Sequence, residues 1–378
     1  MDIKELRDNI NGIDVQLRDL FLKRMELSRG IAEYKRENNL PIRDSAREQE
    51  ILKAAVKGQP EEFTGELTAF FTKLFQISRG YQSRLFWGED TSYMDELLEN
   101  ISPAREPGVV AYQGVKGSYG EQVFSELFSK ARARECASFE EVLKSLQGEA
   151  DYGILPIENS STGGISEVYD LLRKYGAYIV REHVIKVEQN LLGVPGAHIQ
   201  DIKEVYSHNE GLSQSRDFLA EHPLWKQIPY YNTAVSAQYV AQMGDPSKAA
   251  IASLRAAEQY GLEVLARGIN FNKNNNTRFI VVSSRFEAAE DADKMSVYLS
   301  LAHASGALAQ MLDIFSEAGI NLTKIESRPI YNKSWEYYFY IDFEGSVHEE
   351  RVRKALARAE KQADYFEVLG NYKSAVRI

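Results

Sequence analysis

Along the first part of the chain, Ile3, Leu6, Ile10, Ile13, Leu17, Leu20, Leu27, Ile31 and Tyr34 recur at alternating three- and four-residue steps. That spacing predicts one long helix with an apolar stripe facing other helices. Arg24 takes the stripe position between Leu20 and Leu27, where an unpaired guanidinium costs several kcal/mol unless an anion meets it. Lys35 follows eleven residues later, about three turns on and nearly the same face. After Pro41, "RDSAREQEILKAA" predicts a second helix, with Asp44 and Glu48 four residues apart and Arg47 between them. A third carries Phe63, Leu67, Phe70, Leu74, Ile77 and Tyr81 in register, with Ser78 and Gln82 one turn apart. The first helix is too long for its companions, which predicts an intertwined helical dimer.

From Trp87 to Gly108 the pattern dissolves into "GEDTSY" and "SPAREPG" around a short helical piece, marking a domain boundary. Short apolar runs ("VVAYQ", "YGILPI", "EVYSH", "AAIAS", "RFIVVSS") then alternate with helix-like stretches. This predicts an α/β domain with a mostly parallel sheet. One junction recurs: "YGILPI" leads through "ENSSTGG", "EVYS" through "HNEG", and "IPYY" through "NTAVSA", each into a helix. "KGSYGE" after the first strand adds another helix start. Asn, Ser, Thr and His at such places are preferred N-caps. Several junctions at the carboxyl ends of strands also define one crevice, where ligands bind and helix N-termini favour anions. The stretch Asn274–Phe279, "NNNTRF", runs straight into "IVVSS". It fits a polar turn entering a strand, and the other reading is a set of ligand-facing groups on a rigid element.

A second linker, "EAAEDAD", precedes a strand–helix–strand–strand–helix–strand succession of ferredoxin-like type. Its third strand is expected to put Trp335, Tyr337, Phe339 and Ile341 on one face and Glu336, Tyr338, Tyr340 and Asp342 on the other.

Composition narrows the function. A chain of 378 residues predicts two or three domains. A net charge of −10 argues against a nucleic-acid partner, though local cations can still hold anionic substrates. Neither an apolar leader in "MDIKELRDNI" nor a bilayer-length apolar run is evident. Cys136 stands alone, so neither an intrachain disulfide nor a cysteine metal cluster is expected. The expectation is a cytoplasmic protein without a membrane partner.

Four motifs in order, "PIENSSTGG", "NNTRF", "GALAQML" and "ESRP" followed by "WEYYFYIDFEG", make the chain resemble the bifunctional chorismate mutase–prephenate dehydratases of phenylalanine biosynthesis. The resemblance covers nearly the whole chain. It implies an all-α intertwined mutase domain over 1–90, a linker over 91–107, and a two-lobed α/β dehydratase domain over 108–285, like periplasmic binding proteins. A linker over 286–293 and an α+β ACT regulatory domain over 294–378 complete it.

By position in the family's motifs, Arg7, Arg24, Lys35, Asp44, Arg47, Glu48, Ser78 and Gln82 match the mutase site. Arg7 and Arg24 would hold carboxylates, Lys35 and Gln82 would reach the breaking ether oxygen, and Glu48 with the Asp44 backbone would bind the ring hydroxyl. Arg7 points away from the Arg24–Lys35 face and would serve the other protomer. Asn159, Ser160, Ser207, His208, Gln214, Thr233, Thr277, Arg278 and Phe279 match the dehydratase pattern. Thr277 would donate to the departing hydroxyl, Arg278 would fix a carboxylate or the loop, and His208 is an alternative acid. Asn272 departs from the acidic residue of the family pattern. Gly306, Ala307 and Leu308, with Asn321 and Glu326, Ser327, Arg328 and Pro329, match the amino-acid-binding signatures. The implied ligands are chorismate, prephenate and L-phenylalanine, with no cofactor or metal and a dimer or tetramer. The alternatives are a non-catalytic sensor and a dehydratase acting on arogenate.

Overall fold

The computed structural model describes residues 2–38, 40–87, 91–331, 333 and 335–375. The domain limit expected at 90 and the end expected at 378 fall on Asp90 and Ile378, outside the described residues. The chain begins with helices α1 (Ile3–Glu37), α2 (Ser45–Val56), α3 (Thr64–Trp87) and α4 (Ser92–Glu99). There follow β1 (Val109–Gln113), α5 (Tyr119–Leu127), β2 (Arg132–Cys136), α6 (Phe139–Ser145), β3 (Tyr152–Asn159), β4 (Gly163–Gly164), α7 (Ser166–Tyr175), β5 (Tyr178–Lys186) and β6 (Asn190–Gly193). Next come β7 (Glu204–Ser207), α8 (Asn209–Gln214), α9 (Arg216–Ala220), β8 (Lys226–Pro229), α10 (Thr233–Met243), β9 (Lys248–Ala252), α11 (Leu254–Tyr260), β10 (Glu263–Ala266) and β11 (Asn276–Ser283). The chain then runs through β12 (Lys294–Ser300), α12 (Ala307–Glu317), β13 (Leu322–Pro329), β14 (Tyr337–Glu344), α13 (Glu350–Gln362) and β15 (Tyr365–Tyr372), the expected ferredoxin-like order. Two compact units result: residues 1–97, 300–321 and 348–366 form one, and 98–299, 322–347 and 367–378 the other.

In the first unit α1 packs on α3. The contact uses small residues: Ser28 and Ala32 are buried, and the Ser28 and Ser78 hydroxyls lie 2.8 Å apart. The long apolar stripe is a different strip of the same helix and stays uncovered, with Leu27 72%, Leu20 63% and Ile3 61% exposed. Arg24 and Lys35 are half-buried on the border between stripe and packed face. The turn into α2 is closed by Asp44, whose carboxylate accepts from the Arg47 N–H at 2.9 Å. Helices α12 and α13 also pack against α3.

In the second unit one sheet runs β13-β14-β12-β15-β5-β11-β3-β1-β2, and another runs β10-β6-β9-β7-β8. The sheet is less parallel than expected. β1, β2 and β3 are parallel, but β11 is antiparallel to both β3 and β5. This reversal sets the polar start of β11 beside the end of β3, pairing Thr277 with Asn159. β14 departs from the expected alternation: Trp335 precedes the strand at φ 67, and Tyr340, Ile341, Asp342 and Phe343 are all buried. The face expected to be polar is covered because Tyr340 packs on Tyr169, at a ring-centroid distance of 4.8 Å, and Asp342 meets Arg278.

Candidate active sites

The first site is built on α1, α2 and α3. Ser28 ties α1 to Ser78, and the Gln82 amide donates to the Ser78 hydroxyl at 3.2 Å, fixing one turn of α3. The Lys35 ammonium donates to the Ile42 carbonyl at 2.5 Å, holding the α1–α2 connection across the helix end. Burial pulls Lys35 below the ordinary lysine value, while Asp44 and Glu48 pull it back up. Those three groups therefore form one electrostatic cluster. Arg24 is also lowered by burial. Its Nη1 and the Gln82 Oε1 are buried with no hydrogen-bond partner among the described residues. Glu48 is engaged by Arg79 at 2.6 Å, a contact the sequence pattern does not announce. Arg47 turns outward to Glu50, at 2.5 Å. Arg7 is exposed, and its 28-residue separation from Lys35 on one continuous helix amounts to about 42 Å. The two cannot share a small ligand within one chain.

The second site is a cavity of about 610 Å³ in the second unit, within the roughly 300–1,000 Å³ of small-molecule pockets. Strand alternation decides which residues of "NNNTRF" reach it. Thr277 and Phe279 line the cavity, and the side chain between them points to the other face. Asn159, at the end of β3, gives one amide proton to the Thr277 hydroxyl oxygen at 2.9 Å and the other to Asn275 Oδ1 at 2.7 Å. Its own oxygen accepts from the Ser161 N–H at 2.9 Å. Asn275 in turn donates to Gln214 Oε1 at 3.0 Å, as Gln189 does at 3.1 Å. Thr277 thus receives a hydrogen bond and keeps its own proton for the cavity; among the described residues no acceptor for that proton is recorded. Gln189 and Asn275 belong to this network without having been picked out individually, and Gln189 Oε1 is buried and unpartnered.

Four helices begin at the cavity. Ser118, Ser138, His208 and Asn232 each cap a helix with the side chain and also line the space. Capping and cavity lining thus coincide at "KGSYGE", "HNEG" and "NTAVSA", whereas "ENSSTGG" lines the cavity through Asn159 and Thr162 but leads into α7 with Ile165 at the cap and no side-chain cap. No lysine or arginine lines the cavity among the described residues, so anionic groups there meet helix N-termini, the longest being α5 and α10.

Of the expected dehydratase residues, Asn159, His208, Gln214, Thr233, Thr277 and Phe279 come together round this cavity. Three do not. Ser160 hydrogen-bonds the Asn274 carbonyl and the Asn276 N–H, pinning the loop. Ser207 is fully buried and donates to the Ile251 carbonyl at 2.8 Å. Arg278 lies on the opposite face, within 2.9 Å of Asp342, 3.0 Å of Glu158 and 3.2 Å of Glu182. Burial works to lower its pKa, but Asp342 and the other anions hold it well above the ordinary value. Arg278 is therefore held as a cation among three carboxylates, on the face away from the cavity. Asn272 donates to the Ser161 hydroxyl at 2.8 Å and accepts from the Asn274 N–H at 3.0 Å, so an amide shapes the loop where an acidic residue was expected.

The amino-acid-binding signatures are placed as follows. Gly306 is the left-handed residue at φ 84 before α12, with Ala307 and Leu308 in its first turn and Asn321 exposed beyond its end. Glu326, Ser327, Arg328 and Pro329 close β13, and Arg328 pairs with Asp170 at 2.9 Å.

A helical unit with half-buried Arg24 and Lys35, an α/β cavity with a hydroxyl donor and a ferredoxin-like segment make this a multidomain protein with two candidate small-molecule sites. Family profiles match in the same order: chorismate mutase type II over residues 6–83, prephenate dehydratase over 110–287 and ACT domain over 296–361. The chain is 32% identical to a bifunctional chorismate mutase/prephenate dehydratase of Aquifex aeolicus, over 99% of both chains. It belongs to that bifunctional family. Among solved structures, prephenate dehydratase from Arthrobacter aurescens in complex with L-Phe is 33% identical, with a TM-score of 0.64 over 70% of this chain and 90% of that one. A protein described as a quorum-quenching acylase, GqqA, is 28% identical, also at 0.64, over 70% of this chain and 98% of that one. No helix among the described residues is long and apolar enough to cross a membrane.

Proposed function

We infer that the chain converts chorismate to prephenate in its first unit and prephenate to phenylpyruvate in its second, under feedback inhibition by phenylalanine through the ACT domain. The observation that carries this reading is the Thr277 hydroxyl, oriented by Asn159 and facing a cavity ringed by helix N-termini.

The first reaction is a pericyclic rearrangement, so no proton donor, nucleophile or metal takes part. What accelerates it is confinement of a dicarboxylate in a compact conformer and stabilisation of charge on the breaking ether oxygen. Arg24 supplies a half-buried guanidinium for a carboxylate, while Lys35 and the Gln82 amide serve the ether oxygen. Glu48 and the Asp44 backbone hold the ring hydroxyl. Arg7 enters from a second copy, whose α1 covers the exposed apolar stripe; the protein works as a dimer or larger homo-oligomer.

In the second reaction the ring carboxylate leaves as carbon dioxide. Its bonding pair moves into the ring and the C4 hydroxyl departs as hydroxide, which is then protonated from solvent to become water. Aromatisation drives the step, and the poor leaving group is the obstacle. A threonine hydroxyl is too weak an acid to surrender its proton, so Thr277 acts as a positioned donor to the departing oxygen. Gln214, Thr233 and the N-termini of α5 and α10 hold the substrate's polar groups, and Phe279 its ring. L-Phenylalanine acts through the ACT segment, whose signature residues are Gly306–Leu308, Asn321 and Glu326–Pro329.

Separating the activities tests the assignment. Arg24→Ala or Lys35→Ala should stop consumption of chorismate while supplied prephenate is still turned over. Loss of both activities together would contradict two independent sites.

A further inference from the structure

Glu48 is flanked by two guanidinium groups, and each of them also reaches the ACT segment. Arg79 Nη1 lies 2.6 Å from Glu48 Oε1, while its Nη2 lies 3.5 Å from Asp313 Oδ2 on α12. Asp313 is steadied in turn by the Gln76 amide, which donates to its other oxygen at 2.8 Å. Arg43 Nε stands 3.9 Å from Glu48 Oε2. Its guanidinium packs against Gly306, the residue from which α12 starts, and would have to shift to admit a Cβ there. These groups lie in one compact unit, and the Arg79 and Glu48 side chains are each 19% exposed. A charge-assisted hydrogen bond so shielded from water fixes both position and orientation of the carboxylate.

We propose that Arg79 is a positioning residue of the mutase site, holding the Glu48 carboxylate toward the chorismate hydroxyl and being held in turn by Asp313 of α12. The proposal rests on the reading of Glu48 as a chorismate-binding group. It makes mutase efficiency depend on a helix of the regulatory segment. Arg79 touches no substrate; its effect passes through Glu48, and that of Asp313 passes through Arg79.

The test uses the full-length chain and the mutase kcat/KM for chorismate, with turnover of supplied prephenate reporting that each variant is folded. Arg79→Met should lower mutase kcat/KM about 10- to 100-fold, the range for losing a hydrogen bond to a charged group. Arg79→Lys, which keeps a point charge but not the fork, should recover at least half of that loss on a logarithmic scale. Asp313→Asn should lower kcat/KM about two- to fivefold alone and add nothing to Arg79→Met, because the two act in series. Glu48→Gln reports separately on the site itself. If Glu48→Gln is damaging but Arg79→Met stays within twofold of wild type, the positioning role is overturned with the site reading intact. Multiplicative losses in the Asp313→Asn, Arg79→Met double variant, or no recovery with lysine, would also overturn it. Glu48→Gln within twofold of wild type would instead remove the site reading on which the proposal stands.

Discussion

Replacing Thr277 by valine removes one hydroxyl and nearly preserves side-chain shape, which makes it the cleanest probe of the dehydratase chemistry. Two consequences follow from the geometry. Asn159 loses the acceptor it reaches at 2.9 Å while keeping Asn275 at 2.7 Å. One buried amide proton is left unmatched, at a stability cost of about 1–3 kcal/mol. The second is chemical. A donor aimed at charge developing on a leaving oxygen is worth about 10²–10³ in kcat, or roughly 3–4 kcal/mol of barrier. The assay is phenylpyruvate formation from supplied prephenate at substrate saturation, so that kcat is read apart from KM. Thr277→Val should lower kcat by that factor with KM changed far less, and chorismate given to the variant should accumulate as prephenate. Thr277→Ser, which retains the hydroxyl, should lie within about tenfold of wild type, since it forfeits only the methyl that limits rotation. A kcat for Thr277→Val within about threefold of wild type, under 1 kcal/mol, would refute the donor role.

Arg278→Met should destabilise the chain by about 3–5 kcal/mol, because Glu158, Glu182 and Asp342 then face one another with a central cation removed; an unchanged urea midpoint would contradict the structural assignment. Lys35 must be protonated to serve the ether oxygen, and burial sets its folded pKa below the ordinary lysine value. Mutase kcat/KM should therefore be full at lower pH and fall as pH rises through that depressed value, and Lys35→Arg should move the fall to higher pH; an unmoved alkaline limb would exclude Lys35 as its source. Mixing Arg7→Ala with Lys35→Ala chains under subunit exchange should restore part of the mutase activity, as one hybrid site regains both cations, and no recovery would count against a shared site.

Much of this was legible in the chain because it rests on short-range periodicity. The spacing of Ile3 to Tyr34 specifies α1, and its exposure in the single chain is what an overlong apolar stripe implies. The junctions "HNEG" and "NTAVSA" were visible as helix starts, and their caps do line the cavity. Alternation along β11 also separates Thr277 from Arg278, since adjacent strand residues face opposite ways, and Thr277 lines the cavity while Arg278 does not. What the pattern does not carry is long-range charge pairing. Arg278 meets carboxylates 120 and 96 residues away, and Arg79 meets Asp313 from a different segment altogether. No local spacing encodes such partners. The burial of Tyr340 and Asp342 escaped for the same reason: Tyr169 and Arg278, which cover them, lie far off in sequence.

The central claim is that one chain carries out both reactions under phenylalanine control. The most direct measurement is a time course on the purified full-length protein given chorismate alone, with prephenate and phenylpyruvate quantified separately, in the absence and presence of L-phenylalanine. The account predicts that chorismate disappears, prephenate rises transiently, phenylpyruvate accumulates, and L-phenylalanine slows its appearance. Chorismate left unconsumed, or prephenate accumulating with no phenylpyruvate, would contradict it.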